Sequence, residues 1–138
     1  MSKEETKSGA SANKIKEPPV LFNNTQAIIK KLSTILDAPV LTYWNSYRGG
    51  ICHNDVFVLY EILESIGKQE KVYLFINSSG GNGKSSSRMV NLLRQYSNKI
   101  IAIVPLESAS AATMLAIGAD EIQMGPLAFL TAVDSSLT

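Results

Sequence analysis

Apolar residues form two kinds of pattern that follow one another along this chain. In one the spacing has the period of a helix, and in the other the apolar residues form short unbroken runs. Apolar side chains three and four positions apart predict helices that end near Leu36 and Gly67. Unbroken runs of about five apolar residues are typical of strands that are buried on both faces. The patterns predict eight alternating elements: helices at about 24–36, 54–66, 84–96 and 109–117, and strands at 40–44, 72–76, 100–104 and 122–124.

Alternation of helices and strands predicts an α/β fold with a parallel sheet, because successive parallel strands need a crossover connection. Residues 1–19 lack apolar periodicity and predict a disordered tail, in which glutamates dilute the lysines that a basic interaction arm would need. We expect residues 20–138 to form one domain. No helix stop precedes Thr138, so we expect this domain to be incomplete at its C-terminus.

The composition restricts the classes of function. Thirteen basic residues balance twelve acidic ones, so the chain has no net charge that would favour nucleic acid as a partner. With one His and one Cys, a zinc site built from these residues within one chain is not expected. No apolar run approaches the roughly 20 residues of a transmembrane helix. We therefore expect a cytoplasmic protein without a metal ion, and peripheral association with a membrane stays open.

A glycine-rich loop, residues 78–85, follows the strand at 72–76 and permits three interpretations. Gly83-Lys84-Ser85 matches the end of a phosphate-binding P-loop, but Ser78 stands where that motif requires glycine. The loop is also consistent with a plain chain reversal. In the third interpretation, Gly80 and Gly81 let backbone N–H groups approach a substrate and stabilise the oxyanion of acyl transfer.

A serine opens the next helix, just after the strand at 100–104. Ser110 lies between small residues, with free backbone N–H groups of the helix start beside it. Capping the helix is the commonest role for a serine at this position. An exposed nucleophile is the alternative.

Two motifs taken together resemble the ClpP-class serine peptidases of the ClpP/crotonase superfamily. The first is Asn77-Ser78-Ser79-Gly80-Gly81, and the second is the run SAATMLAIGADEI at 110–122. The likeness covers about 40–125 and is strongest to SppA-type signal peptide peptidases, NfeD-type membrane peptidases and serine dehydrogenase proteinases. It implies a ClpP/crotonase-like spiral of βα units.

The resemblance also implies a function and its residues. Ser110 matches the nucleophile, and Gly80 and Ala111 match the oxyanion-hole donors through their backbone N–H groups. Gly81 matches the second glycine, which the close approach requires. The implied activity is hydrolysis of peptide bonds in a peptide or protein through an acyl-enzyme, without a cofactor and in a homo-oligomer. Ser79 replaces a proline that is common in ClpP, but a residue at this position needs only to form the same turn.

The general base is missing from this pattern. These families use a His or Lys, yet no His, Lys or Arg follows Ser110. The sole histidine, His53, precedes a predicted helix and suits a loop or cap, and Cys52 beside it suits packing. Either the base lies outside this chain segment or the chain is an inactive relative, so we expect little hydrolysis from it alone. The alternatives are nucleotide binding that involves Lys84, and a non-catalytic crotonase-like scaffold.

Overall fold

The structure of the protein is a computed structural model that describes residues 22–133; the predicted tail at 1–19 lies outside them. Its helices are α1 (Phe22–Leu36), α2 (His53–Ile66), α3 (Gly83–Tyr96) and α4 (Ala111–Ile117). Its strands are β1 (Val40–Trp44), β2 (Gln69–Asn77), β3 (Ser97–Val104), β4 (Glu107–Ser108), β5 (Glu121–Met124) and β6 (Phe129–Leu130).

The main sheet has four parallel strands in the order β1-β2-β3-β5. All eight predicted elements are present, and the predicted α/β fold with a parallel sheet is confirmed. The sequence pattern did not predict β4 and β6, which pair in parallel as a separate two-stranded sheet. They were missed because each has only two residues, too few for a periodic signal.

Side chains of the central strands alternate between two apolar layers, as the pleat of a strand requires. On one face, Leu74 and Ile76 of β2 join the main core beneath α2, α3 and α4. On the other face, Tyr73 and Phe75 pack in a smaller cluster with the residues of α1. The unbroken apolar runs of the sequence are explained by this burial on both sides.

The main core holds the helices that carry the candidate site. Leu63 of α2, Leu93 of α3 and Leu115 of α4 are all at most 1% exposed. Burying a leucine side chain stabilises a fold by about 1.5–3 kcal/mol, so these contacts fix α4 firmly against the sheet. The start of α4 is thereby held at the carboxyl ends of β2 and β3.

Two details of the helix boundaries differ from the sequence prediction. Helix α2 begins at His53, with the exposed Cys52 at its N-cap, so the expected packing role of Cys52 is wrong. The Cys52 backbone N–H donates to the Asp55 carboxylate over 2.9 Å, which secures this helix start. Helix α4 begins at Ala111, because Ser110 departs from helical geometry.

Candidate active site

The two loops singled out in the sequence meet at the carboxyl edge of the main sheet. A Cβ atom added to Gly80 would lie 2.8 Å from Ser110 Cβ and 3.3 Å from the Ala111 backbone nitrogen. The first distance is shorter than real Cβ contacts and the second is tighter than most of them, so only glycine fits at position 80 without displacing the serine. The structure therefore places Gly80, Ser110 and Ala111 in direct contact, as the sequence analysis predicted for their positions.

Backbone hydrogen bonds hold the two loops side by side. The Ser78 N–H donates to the Glu107 carbonyl over 3.1 Å, and the Ala109 N–H donates to the Ser78 carbonyl over 3.0 Å. These bonds form an isolated parallel bridge between Ser78 and Ser108. The loop after β2 thus continues the sheet into the segment that precedes the serine.

Hydrogen bonds to Ile51 hold the turn that Gly80 and Gly81 form, which we call the diglycine turn. The Ile51 N–H donates to the Gly80 carbonyl over 2.8 Å, and the Asn82 N–H donates to the Ile51 carbonyl over 2.9 Å. A Cβ on Gly81 would lie 2.3 Å from the Ile51 nitrogen, and its φ of 141° is unfavourable for other residues. Gly81 therefore lets the loop before α2 lock the diglycine turn in place.

Ser110 has a backbone conformation that residues other than glycine rarely adopt. Its φ is 51° and its ψ is −125°, at the N-cap position of α4. A conformation of this kind costs about 1–3 kcal/mol and is found mostly at functional sites. The half-buried Ser110 makes no capping hydrogen bond with its side chain, so the simple N-cap interpretation does not describe its hydroxyl.

Hydroxyl groups of the buried Ser108 and Thr113 and of the exposed Thr131 brace the turn around Ser110, which we call the serine turn. Ser108, fully buried, donates from Oγ to the Ala112 carbonyl over 2.8 Å. The Ser110 N–H donates to Thr131 Oγ1 over 2.7 Å, and Thr113 Oγ1 lies 2.9 Å from the Thr131 carbonyl. The sequence analysis missed Thr131, because no local pattern links it to a serine 21 positions earlier.

One backbone N–H group at the start of α4, that of Ala111, is next to Ser110 and has no partner within the helix. The Ala112 N–H donates to the Ala109 carbonyl and the Thr113 N–H to the Ser110 carbonyl, each over 2.9 Å. Ala111 is the first residue of the helix, where an N–H has no partner within the helix. Its N–H therefore suits the role of an oxyanion donor.

The N–H of Gly80 is engaged in this structure. It donates to Ser78 Oγ over 3.2 Å, at the long end of the range for such bonds. Ser78 Oγ in turn donates to Asn45 Oδ1 over 2.5 Å. Any other acceptor must therefore compete with the Ser78 hydroxyl for this donor.

The bond from Ser78 continues into a chain of polar side chains that reaches α2. Asn45 Nδ2 lies 3.4 Å from the Tyr43 hydroxyl, which donates to Asp55 Oδ2 over 2.6 Å. Burial raises the pKa of Tyr43, and its hydrogen bond to Asp55 raises it further, so the phenol stays protonated. The chain ties the diglycine turn to the start of α2, which the sequence pattern did not predict.

The sole histidine interacts with α3 in this structure. His53 Nδ1 lies 3.0 Å from Arg88 Nη1, and its ring meets Phe57 edge-on with centroids 5.1 Å apart. His53 occupies the first position of α2, beside the capping residue Cys52. His53 is therefore a helix residue rather than the loop or capping residue that the sequence predicted, and these contacts do not identify it as the missing base.

The loop at 78–85 departs from a phosphate-binding geometry. Helix α3 begins at Gly83, and the side chain of its N-cap residue Asn82 accepts the Ser85 N–H over 2.8 Å. A phosphate at this helix start would need such N–H groups unoccupied. The protein's own capping residue therefore disfavours the P-loop interpretation.

Two other kinds of site are absent from residues 22–133. Within this range, no three His, Cys, Asp or Glu side chains lie close enough together to hold a metal ion. No helix in the same range has the length and apolarity needed to cross a bilayer.

Comparison with known proteins identifies the fold. The family model for Clp protease matches residues 25–126. ClpP1 from Listeria monocytogenes superposes with a TM-score of 0.51 at 19% identity, covering 70% of this chain and 51% of that one. A point mutant of that ClpP1 gives a TM-score of 0.50 at 21% identity, with 64% and 51% covered. No curated protein matches the chain.

These matches confirm the predicted ClpP-like fold. At such low identity the structural likeness concerns the fold alone, and the chain spans about half the length of the ClpP1 chains, 51% in each case. The finer resemblance to SppA-type, NfeD-type and serine dehydrogenase proteinases stays a prediction. Because the family model covers well over half of the chain and includes both the diglycine turn and the serine turn, this chain belongs to the Clp protease family.

Proposed function

We propose that the protein is a serine peptidase that cleaves peptide bonds through an acyl-enzyme on Ser110. One observation carries the proposal: Ser110 occupies a strained turn, against Gly80 and Ala111, with a hydroxyl that makes no capping bond. Strain at a serine between a strand and a helix is also the arrangement of the nucleophile elbow in unrelated hydrolases. The resemblance in sequence and membership of the Clp protease family support the same assignment.

In the proposed reaction, Ser110 Oγ attacks the carbonyl carbon of the scissile peptide bond and its proton passes to a general base. The carbonyl oxygen gains the negative charge and accepts hydrogen bonds from the Ala111 and Gly80 N–H groups. Collapse of this intermediate expels the amine with a proton from the base. Water then hydrolyses the ester and restores the Ser110 hydroxyl.

The bond between the Gly80 N–H and Ser78 Oγ is compatible with this mechanism. A neutral hydrogen bond contributes about 0.5–1.5 kcal/mol net, whereas one to a charged acceptor contributes about 1.5–3 kcal/mol. An oxyanion therefore replaces the Ser78 hydroxyl favourably, at a bond that is already 3.2 Å long. The Gly80 donor becomes available when charge develops on the substrate.

We propose the chemical class of the general base but not its residue. The resemblance implies a His or a Lys, and the sequence has neither after Ser110. His53 is held by Arg88 and Phe57. We therefore propose that the base comes from outside residues 22–133, and that the substrate is a peptide or protein. A homo-oligomer, which the resemblance implies, is also part of the proposal.

Covalent labelling tests the nucleophile. We expect a fluorophosphonate probe to label the intact protein once, at Ser110, with the site identified by peptide mass mapping. Ser110→Ala should abolish labelling. Ser79→Ala is the matched control, because Ser79 is an exposed serine of the diglycine turn, and it should leave labelling intact. Labelling that persists in Ser110→Ala, or none in the native protein under conditions that label a known serine hydrolase, would contradict the proposal.

A further inference from the structure

A cavity opens at the same edge of the sheet, beside the diglycine turn. It has a volume of about 260 Å³ and lies between the ends of β1 and β2 and the start of β4. Its walls include Trp44, Asn45, Asn77, Ser79 and Glu107, and we refer to it as the acceptor pocket. Because Ser79 precedes Gly80, the pocket adjoins the residue that contacts Ser110.

Glu107 is the only charged residue among those that line the acceptor pocket. The ion pairs found within residues 22–133 join Arg94 to Asp120 and Lys99 to Glu121, so neither uses Glu107. Its backbone is fixed by pairing with Phe129 and by the Ser78 N–H on its carbonyl. Glu107 is thus a half-buried residue with a fixed backbone, and its carboxylate has no cationic partner among the described residues.

Trp44 adds to the preference of this pocket for a cation. Trp44 is 64% exposed and presents an aromatic surface on the wall. A carboxylate and an indole ring together favour an ammonium or guanidinium group.

The place of the acceptor pocket beside the diglycine turn determines which part of a bound peptide can enter it. An extended peptide advances by about 3.3 Å per residue. A substrate whose carbonyl carbon lies at Ser110 passes the diglycine turn within one or two residues. A long side chain from such a residue can then reach past Ser79 into the pocket.

We propose that the acceptor pocket is a substrate subsite that takes a lysine or arginine side chain close to the scissile bond, with Glu107 as its anionic partner. The assignment of the acceptor pocket as a substrate subsite rests on the proposed peptidase function. Its preference for a cation rests on the pocket itself, so the two are tested separately.

Trp44 is the only tryptophan of the chain, so its fluorescence reports directly on the pocket. The experiment titrates the intact protein with N-acetyl-Ala-Lys-Ala amide and with the same peptide in which norleucine replaces lysine. Norleucine has a similar length without the charge. We expect the lysine peptide to bind about tenfold more tightly, and salt to weaken this preference.

Two variants test whether the Glu107 carboxylate causes the preference for the lysine peptide. Glu107→Gln keeps the size of the side chain and should bring the lysine peptide to within about twofold of the norleucine peptide. Glu61→Gln is the matched control, since it removes the same charge from an exposed position on α2. Equal binding of the two peptides, no saturable fluorescence change, or a preference that survives in Glu107→Gln would each overturn the subsite.

The outcomes separate this inference from the peptidase proposal. Binding needs no turnover, so selective binding without fluorophosphonate labelling of Ser110 would keep the cation pocket and remove the peptidase. Labelling of Ser110 without a lysine preference would keep the peptidase and remove the subsite.

Discussion

The diglycine turn and the serine turn both contain residues with positive φ, but the residues differ. Gly80 and Gly81 have φ values of 116° and 141°, which glycine adopts without a steric penalty. Ser110 has a φ of 51°, although a side chain makes this region unfavourable. Glycine would satisfy the backbone in both turns, so the serine is explained by its hydroxyl rather than by the fold.

The two turns also differ in how they are held. Backbone hydrogen bonds to Ile51 fix the diglycine turn, whereas side-chain hydroxyls of Ser108, Thr113 and Thr131 brace the serine turn. Adding a side chain should therefore destabilise the diglycine turn, and removing a polar group should destabilise the serine turn. Substitutions in the two turns should accordingly have effects of different kinds.

The largest expected effect is on catalysis by the serine turn. Ser110→Ala keeps the Cβ and the backbone strain but removes the proposed nucleophile, so peptide hydrolysis by the intact protein should fall by about 10³-fold or more. Initial rates with a fluorogenic peptide measure this loss. Unfolding by urea should change little, and substantial turnover in the alanine variant would assign the chemistry to another residue.

The next largest effect is on the stability of the diglycine turn. Gly81→Ala places a Cβ 2.3 Å from the Ile51 nitrogen, so the free energy of unfolding should fall by about 3 kcal/mol or more. Gly67→Ala is the control, since φ is 69° there and no atom lies within 4 Å of the added Cβ. This variant should lose only about 1 kcal/mol. Equal losses in the two variants, measured by urea unfolding, would show that the contact with Ile51 is unimportant.

A smaller effect measures the strain of Ser110 itself. Ser110→Gly relieves the unfavourable φ, whereas Ser110→Ala retains it. After the entropy that glycine adds to the unfolded chain, we expect the glycine variant to be about 1 kcal/mol more stable than the alanine variant. The difference in urea unfolding midpoints tests this, and a less stable glycine variant would mean that Ser110 is not strained.

The smallest effect concerns the far end of the helix that follows the serine turn. Arg94 donates to the Asp120 carboxylate and to the Gly118 carbonyl, each over 2.7 Å. The Arg94 bond, and after it the Ile100 N–H, lower the pKa of Asp120 from its usual 3.8. The resulting stabilisation is present above pH 3.8 and is lost as the pH falls through the lowered value.

Asp120→Asn should therefore destabilise the protein near neutral pH and make little difference in stronger acid. The loss should be below about 1 kcal/mol, because both partners are more than a third exposed to solvent. Urea unfolding at pH 7 and near pH 3 provides the comparison. A deficit that stays the same at both pH values would show that the charge of Asp120 does not contribute.

The sequence predicts those features of the fold that depend on neighbouring residues. Helical spacing and apolar runs gave the eight elements, and the two motifs placed Gly80 beside Ser110. The contact of Thr131 with Ser110 and the bridge from Asn45 to Ser78 were missed, because they join distant segments through single hydrogen bonds. The start of α2 was misplaced because cysteine is not a typical N-cap residue.

We propose that Ser110, Gly80 and Ala111 converge on one developing oxyanion. A crystal structure of the intact protein with a peptide boronic acid tests this most directly, since the tetrahedral boronate mimics the intermediate. We predict boron bonded to Ser110 Oγ, with one boronate oxygen about 2.7–3.1 Å from both backbone nitrogens and the Gly80 N–H released from Ser78. Boron on another residue, or that oxygen facing away from these two N–H groups, would contradict the account.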